Sequence, residues 1–156
     1  MCAEIGGRRS VELVSRGSKS IAMIEIDCKL DGITAIRHSG SITIREFADL
    51  ASTVADLALQ DRGLLLFDWL QVEHWLFSSP NAVDVTAWRK AAKAIRRVAI
   101  VHDHRLNRQA AWLGAVLRDR GVTVRSWHPP DAVLAVAWLR AESLDNSVDS
   151  TRWRSL

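Results

Sequence analysis

The strongest constraint on the fold is an alternation of two periods along the chain. Three short apolar runs, at residues 64–69, 97–101 and 122–127, are separated by stretches whose apolar residues recur every three or four positions. Short apolar runs bounded by turn residues describe strands covered on both faces, and the stretches between them describe amphipathic helices. Strands alternating with helices over short loops predict a mainly parallel sheet built with right-handed crossovers.

The chain before these runs reads differently. Ile24, Ile26, Cys28 and Leu30 alternate with Glu25, Asp27 and Lys29, the period of a strand with one buried face. Asp31-Gly32 then reads as a tight hairpin turn into a second strand at 33–38, so these two strands are expected to pair antiparallel. Gly40 is expected to end the second strand. Thr43 and Glu46 have capping-box spacing with Ile42 placed as a hydrophobic staple, which starts a helix at Ile44. Its apolar stripe is Ile44, Phe47, Ala51, Val54 and Ala58, and Gly63 closes it. Residues 70–81 mix Trp75, Leu76 and Phe77 with Ser78, Ser79 and Pro80 and predict an unusually apolar loop. Helices follow over 82–94, over about 106–121, and from Asp131 to about Glu142, where Pro130 sits as a first-turn proline.

These elements predict a single α/β domain: one mixed, mostly parallel sheet of about five strands, with an antiparallel N-terminal hairpin and about four helices. Residues 1–20, rich in Gly, Ser and Arg, read as a mobile leader, 21–142 as the domain and 143–156 as a polar tail. With 156 residues, 48% hydrophobic and 25% charged, the chain has the composition of one ordinary globular domain. Its two cysteines, Cys2 and Cys28, make no disulfide framework, and a reducing, cytoplasmic setting is expected. The longest apolar run, 132–139, is far short of the roughly 20 residues that span a bilayer.

The net charge of +3 is less telling than it looks. Arg8, Arg9, Arg16 and Lys19 outnumber Glu4 and Glu12 in the leader, so the body is close to neutral and nucleic acid is not an expected partner. The one basic cluster spans residues 89–97, where Arg89, Lys93 and Arg96 share a helix face. Cations near a helix C-terminus are commonly a solvated face that complements the macrodipole, and the functional alternative is a patch that steers anionic partners.

The order of several short motifs is also familiar. Gly40-Ser41-Ile42-Thr43-Ile44-Arg45-Glu46-Phe47, Leu65-Leu66-Phe67-Asp68 with Trp75 beyond it, Arg97-Val98-Ala99-Ile100-Val101, Val124-Arg125-Ser126-Trp127 and Ala137-Trp138-Leu139 together resemble the SpoIIAA-like group of bacterial proteins, over roughly residues 21–142. That group is related to STAS domains and to the SEC14, or CRAL-TRIO, fold. The resemblance implies a compact α/β fold that binds rather than catalyses. STAS relatives include anti-anti-sigma factors that bind a partner kinase and are switched by serine phosphorylation. Here the Asp-Ser-Ser-Gly-like signature is missing, and Ser78 and Ser79 precede Pro80, so no phospho-switch residue carries over. The SEC14 side implies an apolar pocket.

Two chemistries compete with plain binding. His102-Asp103-His104 falls at the carboxyl end of a strand, where open α/β sheets place ligand sites, and two histidines one residue apart can share a metal with Asp103 or Asp68. That reading makes the chain a small metal-dependent hydrolase or a metal-binding protein. The plainer reading makes Asp103 or Asn107 a cap for the next helix. Asp68, near the end of a buried strand, is either an acid or base with a raised pKa or a carboxylate that fixes a loop. No Gly-x-Ser-x-Gly elbow, dinucleotide fingerprint or Walker lysine is present, and no cofactor is expected.

Seven tryptophans without a tyrosine make the oddest feature. Trp69, Trp75, Leu76 and Phe77 in or beside the 70–81 loop, with Asp68 before them, are the expected apolar contacts for a protein partner or a small apolar, lipid-like ligand. Loop-to-core anchoring is the alternative. Pairing with a second copy in a homodimer is left open.

Overall fold

In the computed structural model, residues 9–13, 22–30, 32–60, 62–76 and 82–141 are described. The strands are β1 Arg9–Leu13, β2 Ala22–Leu30, β3 Ile33–Thr43, β4 Leu64–Leu76, β5 Arg97–Val101 and β6 Thr123–Trp127. The helices are α1 Ile44–Gln60, α2 Ala82–Ala91 and α3 Asn107–Arg118, followed by α4 at 132–141. Short 3-10 turns at Ala92–Ala94, His104–Leu106 and Pro129–Asp131 connect them.

All six strands form one sheet in chain order. β1/β2 and β2/β3 are antiparallel, and β3/β4, β4/β5 and β5/β6 are parallel. Right-handed crossovers that always step the same way put their helices on one face. Accordingly α1, α2 and α3 share a core with Ile36, Phe67 and Ile100. The opposite face is covered over Ile33, Leu64, Ala99 and Trp127 by α4, through Ala135 and Leu139. Among the described residues no helix is long and apolar enough to cross a membrane.

Three expectations are corrected. The leader contains a sixth strand, β1, which pairs with β2 from Arg9↔Ile26 to Leu13↔Ala22. Five residues are too few for a period of two to stand out, and the pairing covers what would otherwise be a bare sheet edge. Gly40 does not end β3. The strand passes through it at φ +78°, to Thr43. Nor is 70–81 a loop throughout, because β4 continues to Leu76. The run of β4 past β5 is accommodated by two irregularities against β3. Arg37 faces Asp68 but Ser39 faces Gln71, and Gly40 faces Val72 but Ser41 faces His74, so β4 carries an extra residue each time. Such bulges re-aim side chains.

The helix starts where the sequence places it. The Thr43 N–H donates to Glu46 Oε2 at 2.9 Å and the Glu46 N–H to Thr43 Oγ1 at 3.2 Å, a reciprocal capping box. Ile42 and Phe47 on either side are both buried.

Gly63 joins α1 to β4 at φ +71°, and its carbonyl accepts from the Arg96 N–H at 2.9 Å. A Cβ there would lie 2.8 Å from the Ala94 carbonyl oxygen and 3.0 Å from the Arg96 nitrogen. Gly63→Ala is therefore expected to cost about 1–2 kcal/mol for the left-handed backbone and about 1–3 kcal/mol more for the overlap. Gly121, at φ +85° with nothing within 4 Å of such a Cβ, should show the first cost alone. Urea unfolding of the two alanine variants checks this, and equal losses would contradict it.

Candidate functional site

β4 pairs with β5 only from Leu64 to Asp68. Beyond that point β5 has ended, and the remaining residues of β4 have β3 on one side and no strand on the other among the described residues. A shallow cleft of about 570 Å³ opens here, lined by Ser39 and Gly40 of β3, residues 70–74 of β4 and Arg105. It lies at the carboxyl end of the parallel strands, where open α/β sheets place ligand sites.

Asp68 shapes the near edge of this cleft. One carboxylate oxygen accepts from Arg37 Nε at 3.1 Å, and the other accepts from the Leu70 N–H at 3.1 Å, holding the bulge that follows. This is the loop-fixing role, carried out on a strand. Trp69, two residues after Phe67, points into the core fully buried, and Leu70 beside it is 37% exposed.

The far wall is the segment after β5. Asp103 Oδ1 accepts from the Arg105 N–H at 2.9 Å, capping the 3-10 turn, and Asp103 Oδ2 accepts from Arg105 Nη2 at 2.8 Å. That hydrogen bonding from Arg105 holds the Asp103 carboxyl below the usual carboxylate range. Arg105 Nη2 also donates to the Val72 carbonyl at 3.3 Å, so the guanidinium bridges the loop to the unpaired edge of β4.

Three imidazoles gather beside this wall. The ring centroids of His102 and His128 are 5.1 Å apart, and those of His104 and His128 are 4.2 Å apart. His102 is 3% exposed. Its Nδ1 donates to the Asp103 carbonyl at 2.8 Å, and His128 Nδ1 donates to the His102 carbonyl at 3.2 Å. Burial is the main cause that lowers the His102 pKa, and the neighbouring His128 and His104 add to it. Among the described residues no group of three or more His, Cys, Asp or Glu side chains is placed to hold a metal ion. Asp103, expected as the oxygen ligand, is engaged by Arg105 and by the turn it caps.

The other expected residues separate. Trp75 lies on β4, half-buried against the core, with its ring 4.9 Å from Phe47 and 5.0 Å from Trp69. The large apolar rings face inward rather than toward a partner, because the segment is strand: Trp69 follows Phe67 by the ordinary period of two, and Trp75 returns to the helical face after the bulges. Leu76 ends β4 opposite Thr43. Phe77 lies outside the described residues. Arg89, Lys93 and Arg96 are exposed at the opposite end of the sheet, where Arg96 adjoins Gly63 and Arg89 is 3.5 Å from Asp119. The basic face and the cleft are thus separated by the length of the parallel strands.

The interior between the sheet and α1–α3 is occupied by rings. Phe47 stacks on Trp88 at 4.6 Å and lies 5.9 Å from Trp69, and all three are fully buried. His38 sits among them at 0% exposure, 5.9 Å from Phe47 and 6.0 Å from Phe67. Sequence reasoning passed over His38, His128, Arg105 and the exposed residues of β4. His128 alone carried a signal, as a third histidine at the end of a strand.

A family model described as SpoIIAA-like matches residues 33–140. The chain belongs to the SpoIIAA-like family. Among solved structures, this SpoIIAA-like chain is similar to an uncharacterized protein with a SpoIIAA-like fold from Shewanella loihica PV-4. Identity is 15%, coverage is 89% of this chain and 98% of that one, and the TM-score is 0.48. It is also similar to an anti-sigma factor antagonist from Mycobacterium paratuberculosis, with 17% identity, coverage of 80% and 99%, and a TM-score of 0.48. No curated protein matches it.

Proposed function

We propose that this SpoIIAA-like chain is a regulatory module of the cytoplasm that acts by binding a protein partner, not by catalysis, and that the partner docks at the cleft beside the free end of β4. The observation that carries this reading is the run of β4 past β5, which presents Leu70, Gln71, Glu73 and His74 exposed on a rigid strand. Three carboxylates are tied into the fold, and Glu73 is the one that lines the cleft exposed. Asp68 is held by Arg37 and the Leu70 amide, Asp103 by Arg105, and Glu46 by the Thr43 amide. The aromatic packing of the interior favours a surface partner over an enclosed apolar ligand.

A photo-crosslinking residue at Gln71, compared with one at exposed Arg125 on β6, tests this in the source cells. The expected result is a discrete adduct from position 71 alone, at least tenfold weaker when Leu70→Asp is added and circular dichroism is unchanged. Equal labelling from both positions, or indifference to the charge at Leu70, would sink the assignment.

A further inference from the structure

We propose that His102, His104 and His128 form a proton-sensitive clasp behind the Arg105 wall of this cleft, closed near neutral pH and loosened in mild acid. The clasp rests on the cleft as the binding site only for its purpose, since its opening is a property of the free protein.

Two hydrogen bonds stitch the ends of β5 and β6 together. The His102 N–H donates to the Trp127 carbonyl at 3.1 Å, and His128 Nδ1 returns a bond to the His102 carbonyl at 3.2 Å. The first joins backbone groups and the second needs only the Nδ1 proton, so both are satisfied with the rings neutral, and what protonation adds is charge. Added protons put like charges on rings whose centroids are 4.2 and 5.1 Å apart, one of them on a residue shut away from water. Like charges that close repel, and a buried imidazolium loses its hydration.

Of the charges nearby, Asp103 favours a protonated His102, but burial outweighs it. Asp103 and Arg105 neutralise each other within the loop. Asp131, in the turn after His128, donates its backbone N–H to the His128 carbonyl at 2.9 Å and is exposed. The strain therefore falls on the 102–105 segment. That segment also carries Arg105, whose contact with the Val72 carbonyl closes the cleft wall. Proton uptake and release of that contact are coupled through a four-residue loop.

Amide hydrogen exchange of the unliganded full chain tests the clasp. After correction for the intrinsic pH dependence of exchange, protection of the His102 and Leu106 amides is expected to fall at least tenfold between pH 7.5 and 5.5, with the Ala99 and Ile100 amides unchanged. A His104→Gln, His128→Gln double variant, which keeps a donor for the His102 carbonyl, should lose that dependence. Constant protection in the wild type, or the same fall in the variant, would overturn the proposal. Neither outcome bears on the crosslink from Gln71 at neutral pH, so the clasp and the cleft fail separately.

Discussion

Replacing Phe47 with alanine will lower the unfolding free energy by about 3–5 kcal/mol, the usual range for deleting a buried aromatic ring. Phe47 is fully buried, one residue after the Glu46 of the capping box, and is the hub of the aromatic core. Its ring meets Trp88 at 4.6 Å, Trp75 at 4.9 Å, and Trp69 and His38 at 5.9 Å. Each such aromatic pair adds roughly 0.5–1.5 kcal/mol beyond burial. Rings as large as tryptophan, held by strand and helix backbones, close poorly over the space left behind. Domains of this kind have about 5–15 kcal/mol in total, so the variant should be marginal at 37 °C. Leu59→Ala, at a leucine 73% exposed on the same helix, should stay within about 0.5 kcal/mol of the wild type. Urea unfolding of both variants checks the contrast, and a loss below about 1 kcal/mol at Phe47 would mean that the aromatic cluster is not the keystone described.

The second large effect depends on pH. His38 is fully buried, and neither ring nitrogen has a hydrogen-bond partner among the described residues. Burial lowers its pKa to about 3, against 6.5 for the free side chain. The unfolded chain therefore takes up a proton first as the pH falls. Stability held above pH 6.5 drains away between 6.5 and about 3, by a little under 1.4 kcal/mol per pH unit. No charged group appears among its ring neighbours Phe47, Phe67 and Trp69 to soften this. Other groups titrate in the same window, so the informative quantity is the gap between wild type and His38→Leu. At pH 7.5 the variant should match the wild type or exceed it by about 1–3 kcal/mol, because it removes an unpaired buried polar group. The gap should then widen by about 2.7 kcal/mol on going to pH 4.5. Parallel stability curves would show that His38 is hydrated or paired in solution.

Local signals in the sequence were reliable where the structure is also local. The α1 start was legible because both halves of its capping box lie within three residues. β5 was legible because four of its five residues, Val98 to Val101, are an uninterrupted buried run. The second half of β4 was not, for a geometric reason. Its inward residues are Leu65, Phe67, Trp69, Val72 and Trp75, whose spacing changes from two to three at the bulges. A spacing of three belongs to no strand template, so the segment reads as a loop rich in aromatics. The cleft was illegible for a different reason. Arg105 reaches Val72 across 33 residues, and His128 reaches His102 across 26. What was readable at this end was the Asp103 cap, a contact between residues two apart.

The strand order has a consequence for how the chain comes off the ribosome. Because every strand lies beside its neighbour in sequence, each newly made unit can dock on the sheet already formed, without waiting for a strand to be threaded between two others. Closing short loops carries a small entropic cost, which suits stepwise growth from the N-terminus. The exception is the second face. Leu64, Ala99, Val101 and Trp127 are shielded by α4, the last helix described, so they stay wet until residues 132–141 have emerged. A nascent chain therefore carries an apolar strip on that face until this helix docks, and the docking that completes the second layer is also the one that makes the sheet safe from its neighbours.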